Sequence, residues 1–236
     1  MTLNKISTPS LKEVFVNEIE NRIISGEFKL GDKLPTEREL GELMGVSLTI
    51  VKQGISDLEN KGFIEVRPRR GLFVADFVSK GSFETLASIM RYNGGKLGNK
   101  EIRSFCETRR ALDKLAFDLV IERASDSEIN GVGQIVENIK KAKDADNITE
   151  MCKFIIEFYH KLYILSDNII LPLFYHSTAV PQIEMYTKFI DKNGTKLVFD
   201  NIAKIYESIL ARDKDAVYLY INDAMKMSLE GDTAII

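Results

Sequence analysis

The sequence predicts a mainly α-helical protein with three N-terminal helices, one small β-hairpin, and then an all-α helical bundle. Apolar residues recur at helical spacing over most of the 236 residues. Glycine and proline separate these stretches, and two short runs rich in β-forming residues occur together before residue 76. A hydrophobic content of 44% with 28% charged residues is typical of a globular protein with buried cores.

The first three helices are predicted from an apolar stripe at helical spacing and from their capping residues. Ser10 is the predicted N-cap of the first helix, and Glu13 completes a capping box. Two short helices follow, with Thr36 and Ser47 as their predicted N-caps. Gly45 lies between them, where a left-handed residue is expected to end a helix.

Two β-strands are predicted after the third helix, at Phe63–Val66 and Leu72–Ala75, with a tight turn over residues 67–71. Three helices and a hairpin in this order form a winged helix-turn-helix, whose second short helix lies in the major groove of DNA. Residues 8–76 are therefore predicted to form a DNA-binding domain. The alternative is a three-helix adaptor domain with a solvated arginine turn.

Residues 82–230 form the second predicted domain, an all-α helical bundle that follows a linker at residues 77–81. Its helical segments are predicted at residues 82–92, 100–124, 126–144, 147–166, 168–190 and 195–229. Pro172 and Pro181 place the start of the fifth segment near residue 171 and a kink or restart near residue 181.

Composition and charge narrow the classes of function. The net charge of −3 gives no general attraction to nucleic acid. Residues 1–76 contain 11 Lys and Arg against 12 Asp and Glu, so DNA binding would depend on a local cluster of cations. No apolar run is long enough to span a membrane, and no apolar export signal stands at the N-terminus. We therefore expect a cytoplasmic protein with no membrane partner.

Catalytic motifs are missing from the sequence. There is no nucleophile elbow, phosphate loop or paired-carboxylate signature, so we do not expect an enzyme. Cys106 and Cys152 lie in apolar, helix-like stretches and are expected to be buried free thiols, with a disulfide or a metal pair as the alternative.

The third helix and the hairpin turn carry the candidate DNA contacts. From Ser47 to Ser56 the only charged residue is Lys52, so the outward side chains would not repel phosphate. The hairpin turn holds three arginines, which suit contacts to the DNA backbone or minor groove. The candidate DNA-binding residues are Arg38, Ser47, Leu48, Thr49, Lys52, Gln53, Arg67, Arg69, Arg70 and Gly71.

The stretch Ile19–Val74 resembles the winged helix-turn-helix of the GntR family. The matching motifs stand at Ile23–Leu40, Gly45–Ser47, Leu58–Gly62 and Arg67–Val74. The resemblance implies a homodimer that binds a short palindromic operator in double-stranded DNA. The positions that would contact this operator by resemblance are Arg38, Ser47, Thr49, Lys52 and the wing near Arg70 and Gly71.

Some residues depart from the family pattern. Members usually have arginine where Leu48 stands, arginine rather than Lys52, and often glycine where Arg69 stands. Loss of an arginine that reads guanine removes about 1–3 kcal/mol of base discrimination, so we expect an operator that differs from the family's commonest consensus. Gly54 stands where alanine is common, and it should weaken the helix by about 1 kcal/mol.

Residues 82–230 resemble, more loosely, the all-helical ligand-binding domain of the FadR branch of that family. The matching pieces are Glu107–Asp113, Phe158–Leu162, Ser166–Asn168 and Ile205–Asp213. Most domains of this type hold a divalent metal with one Asp, a His four residues later, and two more His about 22 residues apart, a ligand set that suits zinc, nickel or manganese.

This chain keeps one of those four ligands. His160 matches the first histidine, but Ile156 stands where the Asp is expected. The two later positions fall near Ile202 and Ala224, or near Asn201 and Asp223. No metal or other cofactor is therefore expected.

Apolar residues at the ligand positions favour an apolar or amphipathic effector, and the fatty-acid regulator of that branch also lacks the metal set. The resemblance therefore implies an acyl-coenzyme A or lipid-like effector. A carboxylated metabolite held by Arg109 or Arg110 is the alternative. The candidate effector-binding residues are Arg109, Arg110, Tyr159, His160, Tyr163 and His176. Equally, the arginines would form surface salt bridges with Glu107 or Asp113, and most of the aromatic residues would be core.

These features together predict a ligand-responsive transcriptional regulator, with repression favoured over activation. Its partners would be double-stranded DNA, a small-molecule effector and a second copy of the chain. The remaining alternative is an effector-free architectural DNA-binding protein whose helical unit only dimerises.

Overall fold

The computed structural model describes residues 9–92 and 96–236. Residue 8, where the first domain is predicted to begin, lies outside them. The chain divides into two compact units between residues 93 and 94. Over the described residues the fold is mainly α-helical, with a two-stranded sheet in the first unit and a helical second unit, as the sequence predicts.

The first unit begins with α1 (Leu11–Ile24), α2 (Glu37–Met44) and α3 (Leu48–Asn60). Each helix starts at its predicted cap. The Ser10 and Thr36 side chains form complete capping boxes, and the Ser47 hydroxyl accepts a hydrogen bond from the Ile50 amide at 3.4 Å. Gly45 ends α2 in the left-handed conformation, with φ of 65°.

The hairpin follows as β1 (Ile64–Arg67) and β2 (Gly71–Val74), which pair antiparallel. The Phe63 amide bonds to the Leu58 carbonyl at 2.9 Å, at the end of α3, so β1 starts one residue later than predicted. The outer edge of β2 is covered by residues 31–34, where the Leu34 amide donates to the Leu72 carbonyl at 2.9 Å. β2 is therefore hydrogen-bonded along both of its edges, to β1 and to residues 31–34.

Residues 77–81 were predicted to be a linker. They include a short helix, α4 (Phe77–Lys80), and α5 (Phe83–Arg91) follows. The Phe77 ring packs against Phe63, with ring centroids 5.4 Å apart. The buried Thr85 hydroxyl donates to the carbonyl of Lys61. These contacts hold α4 and α5 in the first unit, which explains why the division falls after them.

The second unit contains eight α-helices and a terminal turn of 3₁₀-helix over its described residues, 96–236. The helices are α6 (Asn99–Arg123), α7 (Asp126–Gly131), α8 (Gly133–Asp144), α9 (Ile148–Leu165), α10 (Ile170–Ser177), α11 (Ala179–Asn193), α12 (Thr195–Leu210) and α13 (Lys214–Leu229), and the turn is Gly231–Thr233. Both cysteines are buried and free, as predicted. No helix of the described residues is long and apolar enough to cross a membrane.

Three predicted helical segments are pairs of helices instead. One breaks at Val132 and one at Thr178, where the hydroxyl donates to the Tyr175 carbonyl at 2.9 Å and ends α10. The last breaks before α13, where Arg212 adopts φ of 54°. Its guanidinium donates to the Ala124 carbonyl at 2.8 Å. This bond comes from a residue 88 positions away along the chain, so local periodicity does not reveal the break.

Candidate functional site

The outward face of α3 is the first candidate site. Leu48, Thr49, Lys52 and Gln53 are all exposed there, whereas the opposite face of the helix is buried in the core of the first unit. The first acidic residue along α3 is Asp57, and its carboxylate is paired with Lys12 at 2.7 Å. The first two turns of the exposed face therefore carry one positive charge, Lys52, and no acidic side chain; Glu59, at the far end of the helix, accepts a hydrogen bond from the Val66 amide at 3.1 Å.

Two further predicted residues flank this face. The Ser47 hydroxyl is used in capping α3, so it fixes the start of the helix. The Arg38 side chain is 88% exposed and pairs with Glu42 at 3.1 Å on the surface of α2. A pair this exposed contributes little free energy, so Arg38 can exchange its carboxylate partner for a phosphate at small cost.

The wing turn is strained at Arg69. This residue adopts φ of 62°, a left-handed conformation that costs a side chain other than glycine about 1–2 kcal/mol. The turn is closed by the Arg70 amide, which donates to the Arg67 carbonyl at 3.0 Å. Both Arg69 and Arg70 are exposed, so the strained turn presents two guanidiniums to solvent.

Arg67 is placed differently from the other two wing arginines. It pairs with Glu65 at 3.1 Å and lies over the Phe73 ring, 4.3 Å from its centroid. Its guanidinium is therefore held on the sheet. Sequence reasoning missed Lys33, whose Cε lies 3.2 Å from where a side chain on Gly71 would begin. Lys33 pairs with Phe73 along the outer edge of β2, so this edge of the wing carries a cation. Only the sheet pairing reveals its position.

Gly54 has a role that the sequence analysis did not assign to it. It is buried where α3 crosses α1, and a Cβ at this position would lie 2.6 Å from Cε1 of Phe15. The expected weakening of α3 by glycine is therefore offset by close packing of the two helices. The missing methyl group is a requirement of this crossing.

A cavity of about 70 Å³ inside the second unit is the second candidate site. Side chains of α6, α9, α11, α12 and α13 line it, and most of them are apolar. At roughly 15 Å³ for each water molecule, the volume corresponds to about five waters. The polar side chains in its wall are Arg109, Asp113, Tyr159, Tyr186, Asn201 and Ser228.

Arg109 is the charged group at the centre of this wall and is only 8% exposed. Its Nη2 donates to the Tyr186 hydroxyl at 2.9 Å, and its carbon Cζ lies 4.4 Å from the centroid of the Tyr159 ring. Its Nε lies 3.3 Å from the Asp113 carboxylate but has no hydrogen-bond partner among the described residues. The guanidinium is therefore held between the Tyr186 hydroxyl and the Asp113 carboxylate, and a ligand acceptor would have to compete with Asp113 for it.

The surroundings keep Arg109 charged. Burial works against the charge, but Tyr186 and Asp113 outweigh it and raise the pKa of the guanidinium above its usual value. Burial also raises the pKa of Asp113, against the opposing effects of Arg109 and of the Tyr163 hydroxyl, which donates to the carboxylate at 2.7 Å. An anion that entered this water-poor site would interact strongly with Arg109.

The structure brings together only part of the predicted effector set. Tyr159 lines the cavity, and Tyr163 reaches it through Asp113. Arg110, His160 and His176 do not line the cavity. The two imidazole rings form a pair near the surface, with centroids 5.7 Å apart, and burial lowers the pKa of His160.

Helix geometry explains why Arg109 and Arg110 differ. Arg109 continues the buried stripe of α6 that runs from Ile102 through Cys106 to Asp113, with steps of three and four residues. Arg110 is one residue further round the helix and is exposed. One expectation was a surface salt bridge between Arg109 and Asp113, and the pair does form, but in the core. The apolar stripe of α6 includes position 109 and not position 110, so helical periodicity distinguishes the two arginines.

The positions that correspond to the missing metal ligands also lie at the cavity. Ile202 and Ala224 line it, and Asn201 contributes an amide to its wall. Over residues 9–92 and 96–236, no three His, Cys, Asp or Glu side chains gather closely enough to hold a metal ion. The charged groups of this cavity are the Arg109 guanidinium and its partner, the Asp113 carboxylate.

Comparison with known proteins identifies a domain in each of the two units. Residues 11–74 match the description "Bacterial regulatory proteins, gntR family", and residues 104–226, more than half of the chain, match the FCD domain. The chain belongs to the GntR family. It is therefore a DNA-binding transcriptional regulator with a helix-turn-helix domain and an FCD domain, and not an enzyme.

Relatives share this layout at low identity. An uncharacterized HTH-type transcriptional regulator of Bacillus subtilis, YcbG, is 20% identical over 96% of this chain and 91% of its own. Among solved structures, Lar, described as controlling the Listeria monocytogenes agr system, has a TM-score of 0.62 at 13% identity, with 94% of this chain and 95% of that one covered. Escherichia coli McbR/YncC has a TM-score of 0.51 at 16% identity, covering 94% and 96%. The structural likenesses establish the fold.

Proposed function

We propose that this GntR regulator is a cytoplasmic, ligand-responsive repressor that binds a palindromic operator as a homodimer. Residues 8–76 would read the DNA, and residues 82–230 would bind the effector and carry the dimer contacts. The effector we propose is a small carboxylate. The single observation that carries this proposal is the buried Arg109 guanidinium in the cavity wall, which is paired with Asp113 and bonded to the Tyr186 hydroxyl.

The chemistry of Arg109 supports a carboxylate. A guanidinium presents N–H groups in a fork that matches two carboxylate oxygens, and the interaction strengthens where water is excluded. The Tyr186 hydroxyl and the Asn201 amide would add hydrogen bonds beside it. The apolar remainder of the wall would contact a short hydrocarbon part of the ligand.

The size of the cavity argues against the acyl-coenzyme A expectation. Pockets for ligands of drug size and larger measure roughly 300–1,000 Å³. The cavity around Arg109 measures about 70 Å³. A carboxylate of a few carbon atoms suits this space better than a long acyl chain.

Ligand binding would act on the DNA through the helices that hold the cavity. A carboxylate at Arg109 would compete with Asp113 for the guanidinium and would press on α12 and α13. If two conformations of the dimer differ in the spacing of their helix-turn-helix domains, a ligand that prefers one of them shifts the population. Only the spacing that fits adjacent major grooves binds the operator.

The test begins with DNA selection. The purified full chain is used to select sites from random duplexes, and we expect a palindromic sequence with half-sites about one helical turn apart. A thermal-shift screen then compares short carboxylates with the corresponding amides. We expect carboxylates to raise the Tm of the wild type and of Arg110→Met, but not that of Arg109→Lys, which keeps the charge and loses the fork.

Two outcomes would contradict the proposal. Selection of non-palindromic DNA would contradict binding as a symmetric dimer. If no carboxylate stabilises the chain, or if Arg109→Lys responds like the wild type, the cavity is not the effector site and the effector-free architectural function gains support.

A further inference from the structure

Leu48 is an apolar side chain held at the tip of the DNA-facing helix. It is the first residue of α3 and is 48% exposed. The Ser47 cap fixes the helix start immediately before it, so the direction of the Leu48 side chain is set by regular helix geometry. Around it, Thr49, Lys52 and Gln53 are exposed polar residues of the same face.

The fold of the first unit does not use Leu48. The core draws on the later residues Val51, Ile55 and Leu58 of α3, and Leu48 belongs neither to this core nor to the partly buried residues packed on it. Its isobutyl group is therefore available for contact with a partner. Water contact with this group is lost when the helix enters a groove, which favours an apolar counterpart there.

The major groove offers one such counterpart. The N-terminal residues of the second helix in a helix-turn-helix contact base edges. Among the four base pairs, the 5-methyl group of thymine is the apolar group that projects from the major-groove edge, where cytosine has only a hydrogen atom and the other groups are mostly hydrogen-bond donors or acceptors. Leucine has neither donor nor acceptor on its side chain. We infer that Leu48 reads a thymine methyl group, so that each half-site of the operator has a T·A pair opposite the first turn of α3.

This inference rests on the DNA-binding role of α3 and adds the base that one residue selects. A methyl group is worth roughly 0.8 kcal/mol when fully buried, which corresponds to about a fourfold change in Kd for each half-site. Removal of the methyl groups from both half-sites of a symmetric operator should therefore weaken binding about fifteenfold.

The experiment replaces thymine by deoxyuridine, which removes only the 5-methyl group. In DNA selected by the full-length wild type, each thymine position is substituted symmetrically and Kd is measured by fluorescence anisotropy. We expect one position where deoxyuridine raises the Kd of the wild type about fifteenfold. At the same position, deoxyuridine should leave the Kd of Leu48→Ala unchanged. Leu43→Ala is the matched control, because Leu43 is a 74% exposed leucine on α2, and it should keep the wild-type discrimination.

The inference is overturned if deoxyuridine is tolerated at every position, or if Leu48→Ala discriminates as the wild type does. The substitution in the DNA tests the wild-type chain directly, so the result does not depend on the stability of a variant. Lys52→Ala separates this result from the broader proposal. If it leaves affinity for all DNA unchanged, α3 is not the reading helix, and both proposals fail together.

Discussion

The DNA-facing surface and the Arg109 cavity place their functional groups in opposite environments. On the surface, the Lys52 and Arg69 side chains are exposed, and neither belongs to the core of the first unit. In the cavity, Arg109 and Asp113 are buried, and each supports the other. A surface of the first kind can change its function without changing stability. A site of the second kind cannot, because Arg109, the group that we propose binds the ligand, is also part of the fold.

The largest expected effect follows from breaking the buried ion pair. Asp113→Ala leaves the Arg109 charge buried without its carboxylate and should lower the free energy of unfolding of the second unit by about 3–5 kcal/mol. Urea unfolding followed by circular dichroism measures this. Arg110→Ala is the exposed control on the same helix and should change stability by less than about 0.5 kcal/mol. Equal losses of unfolding free energy in the two variants would show that the buried pair contributes no more to stability than an exposed side chain does.

The cavity wall should also give stability a pH dependence through Cys106. Burial raises the pKa of this thiol from about 9 to about 11. The unfolded chain therefore loses the proton first, and stability is retained below pH 9 and falls as the pH rises to 11, by about 2–3 kcal/mol. Unfolding curves of the wild type and Cys106→Ala at pH 8, 9, 10 and 11 isolate this contribution from that of the buried tyrosines. Parallel curves would show that Cys106 does not contribute.

Substitutions on the buried side of α3 should lower stability, as those in the cavity should, although the outer side of the same helix is a surface site. Gly54→Ala gains about 1 kcal/mol of helix propensity, but the added Cβ overlaps Phe15. We expect a net loss of about 1–3 kcal/mol in the stability of the first unit, in line with overpacked cores. Combining it with Phe15→Leu should recover part of the loss. If Gly54→Ala is stabilising, the helix crossing is looser than the structure indicates.

The smallest effect on stability is expected at the wing, with the opposite sign. Arg69→Gly relieves the left-handed strain and should stabilise the first unit by about 1 kcal/mol. It should weaken DNA binding and reduce the slope of log Kd against log salt by about 0.9 for each wing that contacts a phosphate. Salt titrations of the wild type and the variant on one selected duplex measure this slope. An unchanged slope would mean that Arg69 does not contact the backbone.

Sequence and structure agree best where the determinants are local. The caps at Ser10, Thr36 and Ser47, the left-handed Gly45 and the hairpin turn all depend on neighbours within a few residues. The restart predicted near Pro181 lies at Thr178, whereas the breaks at Val132 and Arg212 were missed, and Arg212 shows why. Its guanidinium is bound to carbonyls of a distant helix end, and no local pattern contains that contact.

The candidate sites show the same contrast. The exposed residues of α3 could be placed from the helix periodicity and the wing arginines from the hairpin turn, whereas Lys33 needed the sheet pairing. In the cavity, Tyr186 lies 77 residues from its partner Arg109, and Asn201 enters from yet another helix. Arg109 and Arg110 were both predicted as candidates, because the sequence shows that each is charged but does not show how each side chain packs. The structure shows that Arg109 is buried and that Arg110 is exposed.

Coupling between the Arg109 cavity and the DNA-facing surface is the most direct measurement. Operator affinity of the full chain is titrated with the carboxylate that gives the largest thermal shift, for the wild type, Arg109→Lys and Arg110→Met. We expect the ligand to change Kd at least fivefold for the wild type and for Arg110→Met, and not for Arg109→Lys. A carboxylate that binds at Arg109 and leaves operator affinity unchanged would contradict regulation through this cavity.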